Sequence, residues 1–209
     1  GILRDAFVAG MAESDWDTVI AVHLKGHFAV LHHAAVYWKQ QSKAGHPVNA
    51  AVINTASASG TFMPNPGQAN YGAAKMALAG LMQTLSIEGE KNHIRVNCLA
   101  PTAATRMTEG LMPEAVLQAL DPSAVVPAML VMASEDAPNR TIICAGAGSF
   151  EVAHITLTQG VHLGTGPGTV ERLAAARAQV ADRQGEMVPR SGSEQGSLEV
   201  GKAMKAHGA

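Results

Sequence analysis

An α/β fold built on a parallel sheet is what the order of patterns along this chain predicts. Short apolar runs at 51–53, 94–99 and 141–144 alternate with longer stretches of helical character. Alternation of this kind is the mark of parallel strands joined by helical crossovers. The first of them, Ala51-Val52-Ile53, is unbroken by polar residues, which fits a strand buried in a parallel sheet. At 209 residues, 47% hydrophobic and 15% charged, the chain can bury one sizeable core.

Residues 1–10 read as a loop and a short turn. A long helix is predicted over 13–42, with Ser14 as N-cap and Asp15 and Asp17 favourable in the first turn. Val19, Val22, Leu24, Phe28, Leu31 and Ala35 supply much of its apolar surface. Gly45, His46 and Pro47 end it. The first strand leads into Asn54-Thr55-Ala56-Ser57, and a loop rich in Gly, Pro and Asn follows from Gly60 to Asn70. The next helix runs from Tyr71 to Glu90, its small residues (Gly72, Ala73, Ala74, Ala77, Ala79, Gly80) allowing close packing. The second strand ends at Pro101. Two helical stretches over 113–134 split at Asp121-Pro122, and the third strand, Thr141 to Cys144, is followed by Gly146 and Gly148. The main folded segment is placed at 1–160. Residues 161–209 read as a linker and C-terminal extension, with a surface helix over 169–183, a polar stretch at 184–196 and a small helix around Val200 to Met204.

The net charge of −2, with no basic stripe, argues against nucleic acid as a partner. No uninterrupted apolar stretch approaches the ~20 residues of a membrane span. Cys98 and Cys144 sit in apolar runs and read as free thiols in a reducing, cytoplasmic setting. The chain opens on Gly1, with the look of a sequence starting in mid-domain.

Chemistry is carried by Tyr71-Gly72-Ala73-Ala74-Lys75 at the start of a helix. Positions i and i+4 share a face one turn apart. A phenol ionises near pH 10, and bringing it near neutrality takes about 4 kcal/mol of preferential stabilisation of the anion. A lysine ammonium one turn away supplies charge of the right sign. Such a pair alone is commonly just a solvated face; its context singles it out. Upstream, a strand ends in Thr55-Ala56-Ser57, and a serine at the C-terminal end of a parallel strand points into the crevice where open α/β sheets bind ligands. Its hydroxyl can hold a substrate oxygen while the tyrosine passes the proton.

Ser57, Tyr71-x-x-x-Lys75, Ile94-Arg95-Val96-Asn97 and Pro101 together resemble the short-chain dehydrogenase/reductase family. More narrowly, Gly1-Ile2-Leu3-Arg4-Asp5, Gly67-Gln68-Ala69-Asn70-Tyr71, Leu85-Ser86-Ile87-Glu88-Gly89 and Arg106-Met107-Thr108 resemble the (3R)-hydroxyacyl-CoA dehydrogenase domains of peroxisomal multifunctional enzymes. The resemblance covers residues 1–150. It implies the C-terminal half of a doubly wound, Rossmann-type sheet, and hydride exchange between NAD or NADP and a secondary alcohol or ketone, with a 3-hydroxyacyl thioester as substrate. It makes Tyr71 the general acid/base, Lys75 the group that lowers its pKa and holds the nicotinamide ribose, and Ser57 the holder of the substrate oxygen. Pro101 and Thr102 fall where the family's backbone meets the nicotinamide ring, and Thr105 or Thr108 where the carboxamide or phosphates would be bonded. It also implies a homodimer or homotetramer assembled through the helices at 13–42 and 71–90.

The chain departs from the family pattern in four places. Ser57 and Tyr71 are fourteen apart, one more than is usual, with Met63-Pro64-Asn65-Pro66 carrying the extra residue; Ser59 is the other serine within reach. His23 aligns with the family's proton-relay asparagine, a change that a relay through the backbone carbonyl and water would survive; the alternative reading makes it an ordinary helix residue. Pro101-Thr102 replaces a Pro-Gly. The glycine-rich diphosphate loop, expected about ninety residues before Gly1 by family length, is not in the sequence, and with it goes the residue that selects NAD over NADP.

Gly164-Thr165-Gly166-Pro167-Gly168 follows no strand, and Pro167 removes a donor N–H, so it reads as a linker rather than a phosphate loop. His23 and His27, with His32 and His33 nearby, lack the further ligand and purpose of a metal site, so no metal is expected. The rival reading is a non-catalytic fragment or dimerisation module lacking its dinucleotide-binding half. Against it, a first strand at 50–56 would then be an exposed sheet edge.

Overall fold

The computed structural model describes residues 1–105 and 113–207. They form two compact units, Gly1–Ala153 and His154–Ala209. The division falls earlier than the boundary at 160 expected from composition. Residues 154–160 go with the second unit because Leu157 pairs with Met187 through two backbone hydrogen bonds of 2.8 and 2.9 Å.

The first unit begins with an extended segment and the long helix α1 (Glu13–Lys43). Ala12, not Ser14, occupies the N-cap; Ser14 lies inside the helix, where its carbonyl accepts from the Thr18 hydroxyl at 2.6 Å. Between Ala21 and Lys25 the helix widens into one π turn. By length and composition alone α1 is apolar enough over an 18-residue window to cross a membrane, although no uninterrupted run of that length exists in it. Strand β1 (Ala50–Thr55) follows, then a short helical turn at Ala58–Thr61 and helix α2 (Ala69–Gly89), which starts two residues before Tyr71. A left-handed His93 (φ 52°) turns the chain into β2 (Ile94–Pro101). Helices α3 (Glu114–Ala119) and α4 (Val126–Ala133) lead to β3 (Ile142–Gly146).

One further strand, β4 (Ser149–Ala153), is absent from the sequence expectation. It pairs antiparallel with β3 through the two-residue turn Ala147-Gly148, both at positive φ (49° and 77°). Two successive positive φ values match the right-handed twist of a hairpin's strands. The sheet order is β1-β2-β3-β4, with β1, β2 and β3 mutually parallel. Ala56, Ala79, Met82, Val96, Cys98 and Ile142 form the core between the sheet and α2. Leu99, Val125, Ala128, Met132 and Ala145 form the core that includes α4. Helices thus cover both faces, as in a doubly wound sheet. Asn97, fully buried, donates to Pro138 O (2.6 Å) and accepts from Thr141 N (3.0 Å), fastening β2 to the chain that enters β3.

The second unit holds helices α5 (Thr169–Ala175), α6 (Arg177–Val180) and α7 (Glu194–Ala206). Helix α7 begins six residues before the small helix expected at Val200, taking in part of the polar stretch. Gly164, Gly166 and Gly168 all adopt positive φ on the approach to α5.

Candidate active site

Strand β1 delivers Asn54, Thr55 and, just past its end, Ser57 to the C-terminal edge of the sheet, while the first turns of α2 deliver Tyr71 and Lys75. The Lys75 ammonium is buried at 3% exposure and donates to the Thr55 carbonyl at 2.6 Å. Its Nζ lies 5.5 Å from the centroid of the Tyr71 ring. Burial lowers the Lys75 pKa to about 8, with the neighbouring Cys98 pulling the other way.

The structure brings Ser57, Tyr71, Lys75 and His23 together. Ser57 caps the turn that follows it, accepting from Ser59 N at 3.2 Å, and its hydrogen bonding to Tyr71 favours the phenolate. Ser59 faces elsewhere: its hydroxyl donates to Gln68 Oε1 at 2.8 Å. Of the two serines in reach, Ser57 is the one directed at the tyrosine. His23 is 4% exposed, with its ring edge-on to Tyr71 at 4.9 Å between centroids. Its Nε2 sits 2.8 Å from Ile2 O and 3.2 Å from Ile2 N. The π turn aims it there by shifting the helix face by one residue, a distortion common at functional sites. Burial chiefly lowers the His23 pKa, helped by the Lys75 charge and opposed by the Ile2 carbonyl, so the ring is neutral near pH 7.

The expected lowering of the Tyr71 pKa by Lys75 is not what the geometry gives. Burial pushes the phenol above its ordinary 10.0, with Ser57 opposing and the Asp5 carboxylate adding to the rise. Lys75 is itself desolvated, and its ammonium donates to the Thr55 carbonyl.

The remaining candidates follow β2. Pro101 ends the strand, Thr102 N donates to Ala145 O at 2.8 Å, and a Cβ on Gly146 would meet Thr102 O at 2.8 Å. Thr105 is exposed, and Thr108, with the Arg106-Met107-Thr108 motif, lies outside the described residues. Lys75 spends one of its three protons on Thr55, so its donor set suits the hydroxyls of a nicotinamide ribose. Among the described residues no group of three or more His, Cys, Asp or Glu is placed to hold a metal ion.

Sequence reasoning missed three residues that shape the site. Asn70 is fully buried; it donates to Arg4 O at 2.9 Å and accepts from Tyr71 N at 2.7 Å, tying the first residues of the chain to the tyrosine's own peptide. Gln68 donates to Asp5 Oδ2 at 3.0 Å and accepts from Ser59, extending the same tie. Asn54, 3% exposed, has its Nδ2 without a hydrogen-bond partner. The Gly67-Gln68-Ala69-Asn70 motif was the available signal for the first two. A groove of about 500 Å³ lined by Phe7, Met63, Gln68, Ala73 and Met76 lies on the outer side of this loop, and neither Ser57 nor Tyr71 lines it.

Residues 1–115 match the family model described as short chain dehydrogenase. A short-chain type dehydrogenase/reductase of Mycobacterium tuberculosis is 38% identical over 189 residues, covering 90% of this chain and 63% of that protein. A hydroxyacyl-CoA dehydrogenase of the same organism is 37% identical over 127 residues, covering 58% of this chain and 40% of that one. The full-length peroxisomal multifunctional enzyme type 2 from Drosophila melanogaster superposes with a TM-score of 0.84 at 31% identity, covering 98% of this chain and 37% of that structure. The chain thus spans less than two thirds of the length of these relatives.

Proposed function

Because the chain belongs to the short-chain dehydrogenase family, we propose that it supplies the catalytic centre of an oxidoreductase that interconverts a secondary alcohol and a ketone with NAD or NADP. The substrate we assign is a 3-hydroxyacyl thioester, on the likeness to a relative named as a hydroxyacyl-CoA dehydrogenase. The observation that carries the reading is the convergence of Ser57, Tyr71 and Lys75 at the C-terminal edge of a parallel sheet.

In the oxidative direction, Ser57 donates a hydrogen bond to the substrate oxygen and Tyr71, as phenolate, takes the hydroxyl proton; reduction runs the same transfer backwards. The nucleotide, when bound, accepts or gives the hydride. Lys75 offers its remaining N–H groups to the ribose. A cationic nicotinamide, when bound, would oppose the burial that holds Tyr71 protonated, as the Ser57 hydroxyl already does. His23 stays neutral and keeps the ring edge of Tyr71 fixed. Assembly is assigned to a second copy of the chain meeting the exposed apolar side of α1 on which Val30 and Tyr37, seven residues apart and 74% and 57% exposed, share a face.

Calorimetric titration of the purified chain with NAD and with NADP tests the reading. Saturable binding to one of them, weakened in Lys75→Ala, is expected. A folded sample that binds neither would place cofactor binding outside this chain and remove the proposal for it. Turnover of a 3-hydroxyacyl-CoA, followed as reduced nicotinamide, should fall about 10²- to 10⁴-fold in Tyr71→Phe.

A further inference from the structure

The loop between Ser57 and Tyr71 is one residue longer than the family pattern, yet the two side chains still meet. The path of the chain shows how. After Ser57 the backbone closes on itself: Met63 N donates to Ala58 O and Gly60 N to Met63 O, both at 3.0 Å. Residues 64–66 therefore leave from a closed turn, and the extra length sits outside it. What crosses from the turn to α2 is backbone against backbone. Gly60, at φ +79°, approaches Gly72 so closely that a Cβ on it would lie 2.3 Å from the Gly72 Cα and carbonyl oxygen. The reverse substitution is milder: a Cβ on Gly72 would meet the Gly60 Cα at 3.2 Å. Gly72 directly follows Tyr71, and Gly60 is three residues past Ser57. The Ser59–Gln68 hydrogen bond of 2.8 Å and the Gly72 N–Gln68 O bond of 2.7 Å brace the same junction.

We propose that Gly60 is a positioning residue, and that its seat on the Gly72 backbone sets the separation of the Ser57 hydroxyl from the Tyr71 phenol whatever the length of the loop between them. This deepens the functional reading and rests on it for its catalytic meaning. The geometry itself does not need turnover. Any side chain at position 60 must lift the turn off α2, because the obstructing atoms are backbone and the φ is one that L-residues adopt at a cost. Lifting the turn withdraws Ser57 from the tyrosine.

The chain has two tyrosines, Tyr37 and Tyr71, so Tyr37→Phe leaves Tyr71 as the sole phenol. Its ionisation can then be followed by phenolate absorbance during a pH titration. In that background Ser57→Ala should move the midpoint upward, since a hydrogen bond to the anion is lost. Gly60→Ala should move it upward to the same extent, and the double variant no further. A Gly60→Ala protein with native circular dichroism and the parent midpoint would overturn the proposal. So would a fall in the midpoint, which would signal water entering, or shifts that add in the double variant. Should Gly60→Ala not fold, Gly72→Ala decides: a smaller upward shift supports the seat, and an unchanged midpoint overturns it. A chain that bound no nucleotide would still give this titration, so failure of the functional reading and failure of the seat are separable.

Discussion

Lys75 carries a cost that the site requires and the fold does not. Holding its ammonium under α2 moves its pKa from 10.5 to about 8, a preference of about 3 kcal/mol against the charged form. The sign of the linkage follows. Between pH 8 and 10.5 the unfolded chain keeps the proton and the folded chain has released it, so stability rises with pH across that window and is lost again as pH falls through 8. Lys75→Met should therefore stabilise the chain at pH 7 by about 1–3 kcal/mol in urea unfolding and abolish the rise between pH 8 and 10.5. A variant less stable than the parent at pH 7 would show that the bond to Thr55 outweighs the desolvation. Cys98 tells of the same burial: its thiol is pushed up to about 12, so it should resist alkylation in the folded chain while the part-exposed Cys144 reacts first. Tyr71 and Lys75 were legible from their spacing, and Ser57 from its place after a strand. The contact of His23 with Tyr71 was not, because it depends on a π turn that has no sequence mark.

Among the elements, the parallel strands and α2 could be read from apolar runs and small-residue spacing, and their ends moved by only a few residues. Strand β4 escaped for a physical reason. Ser149-Phe150-Glu151-Val152-Ala153 is short, with Phe150 and Val152 each half exposed, and its turn is Ala-Gly rather than the Asn-Gly that announces a hairpin. Ala147 occupies a left-handed position that suits Asn or Gly better, so Ala147→Asn should raise stability by about 0.5–1 kcal/mol, measured as a higher urea midpoint. The junction of α2 with β2 has the opposite character. A Cβ on Gly89 would lie 2.9 Å from the Ile94 Cβ and 3.0 Å from its carbonyl oxygen. Gly89→Ala should cost about 1–3 kcal/mol by overpacking, with no gain from its helix propensity.

At the scale of the whole sheet, the two outer strands differ in how they are paired among the described residues. Strand β4 closes the β3 side with antiparallel pairing, while β1 is paired only to β2 among the described residues. The exposed apolar side of α1 leads to a further prediction: Val30→Glu, at a residue 74% exposed, should leave the fold intact and convert a sedimenting dimer to monomer. A parent chain that sediments as monomer at all concentrations would remove that assignment.

The hydrogen bond from Lys75 to Thr55 also governs how the centre fluctuates. It joins the helix bearing the tyrosine to the end of the strand bearing the serine, across twenty residues of chain. The first turns of α2 cannot fray without pulling a cation from its acceptor and uncovering the core beneath Ala79 and Met82. Amide hydrogens around Tyr71 and Lys75 should thus exchange only with the cooperative opening of the sheet, not by local breathing. Substrate traffic would then be left to the loops around a centre that moves as part of the core.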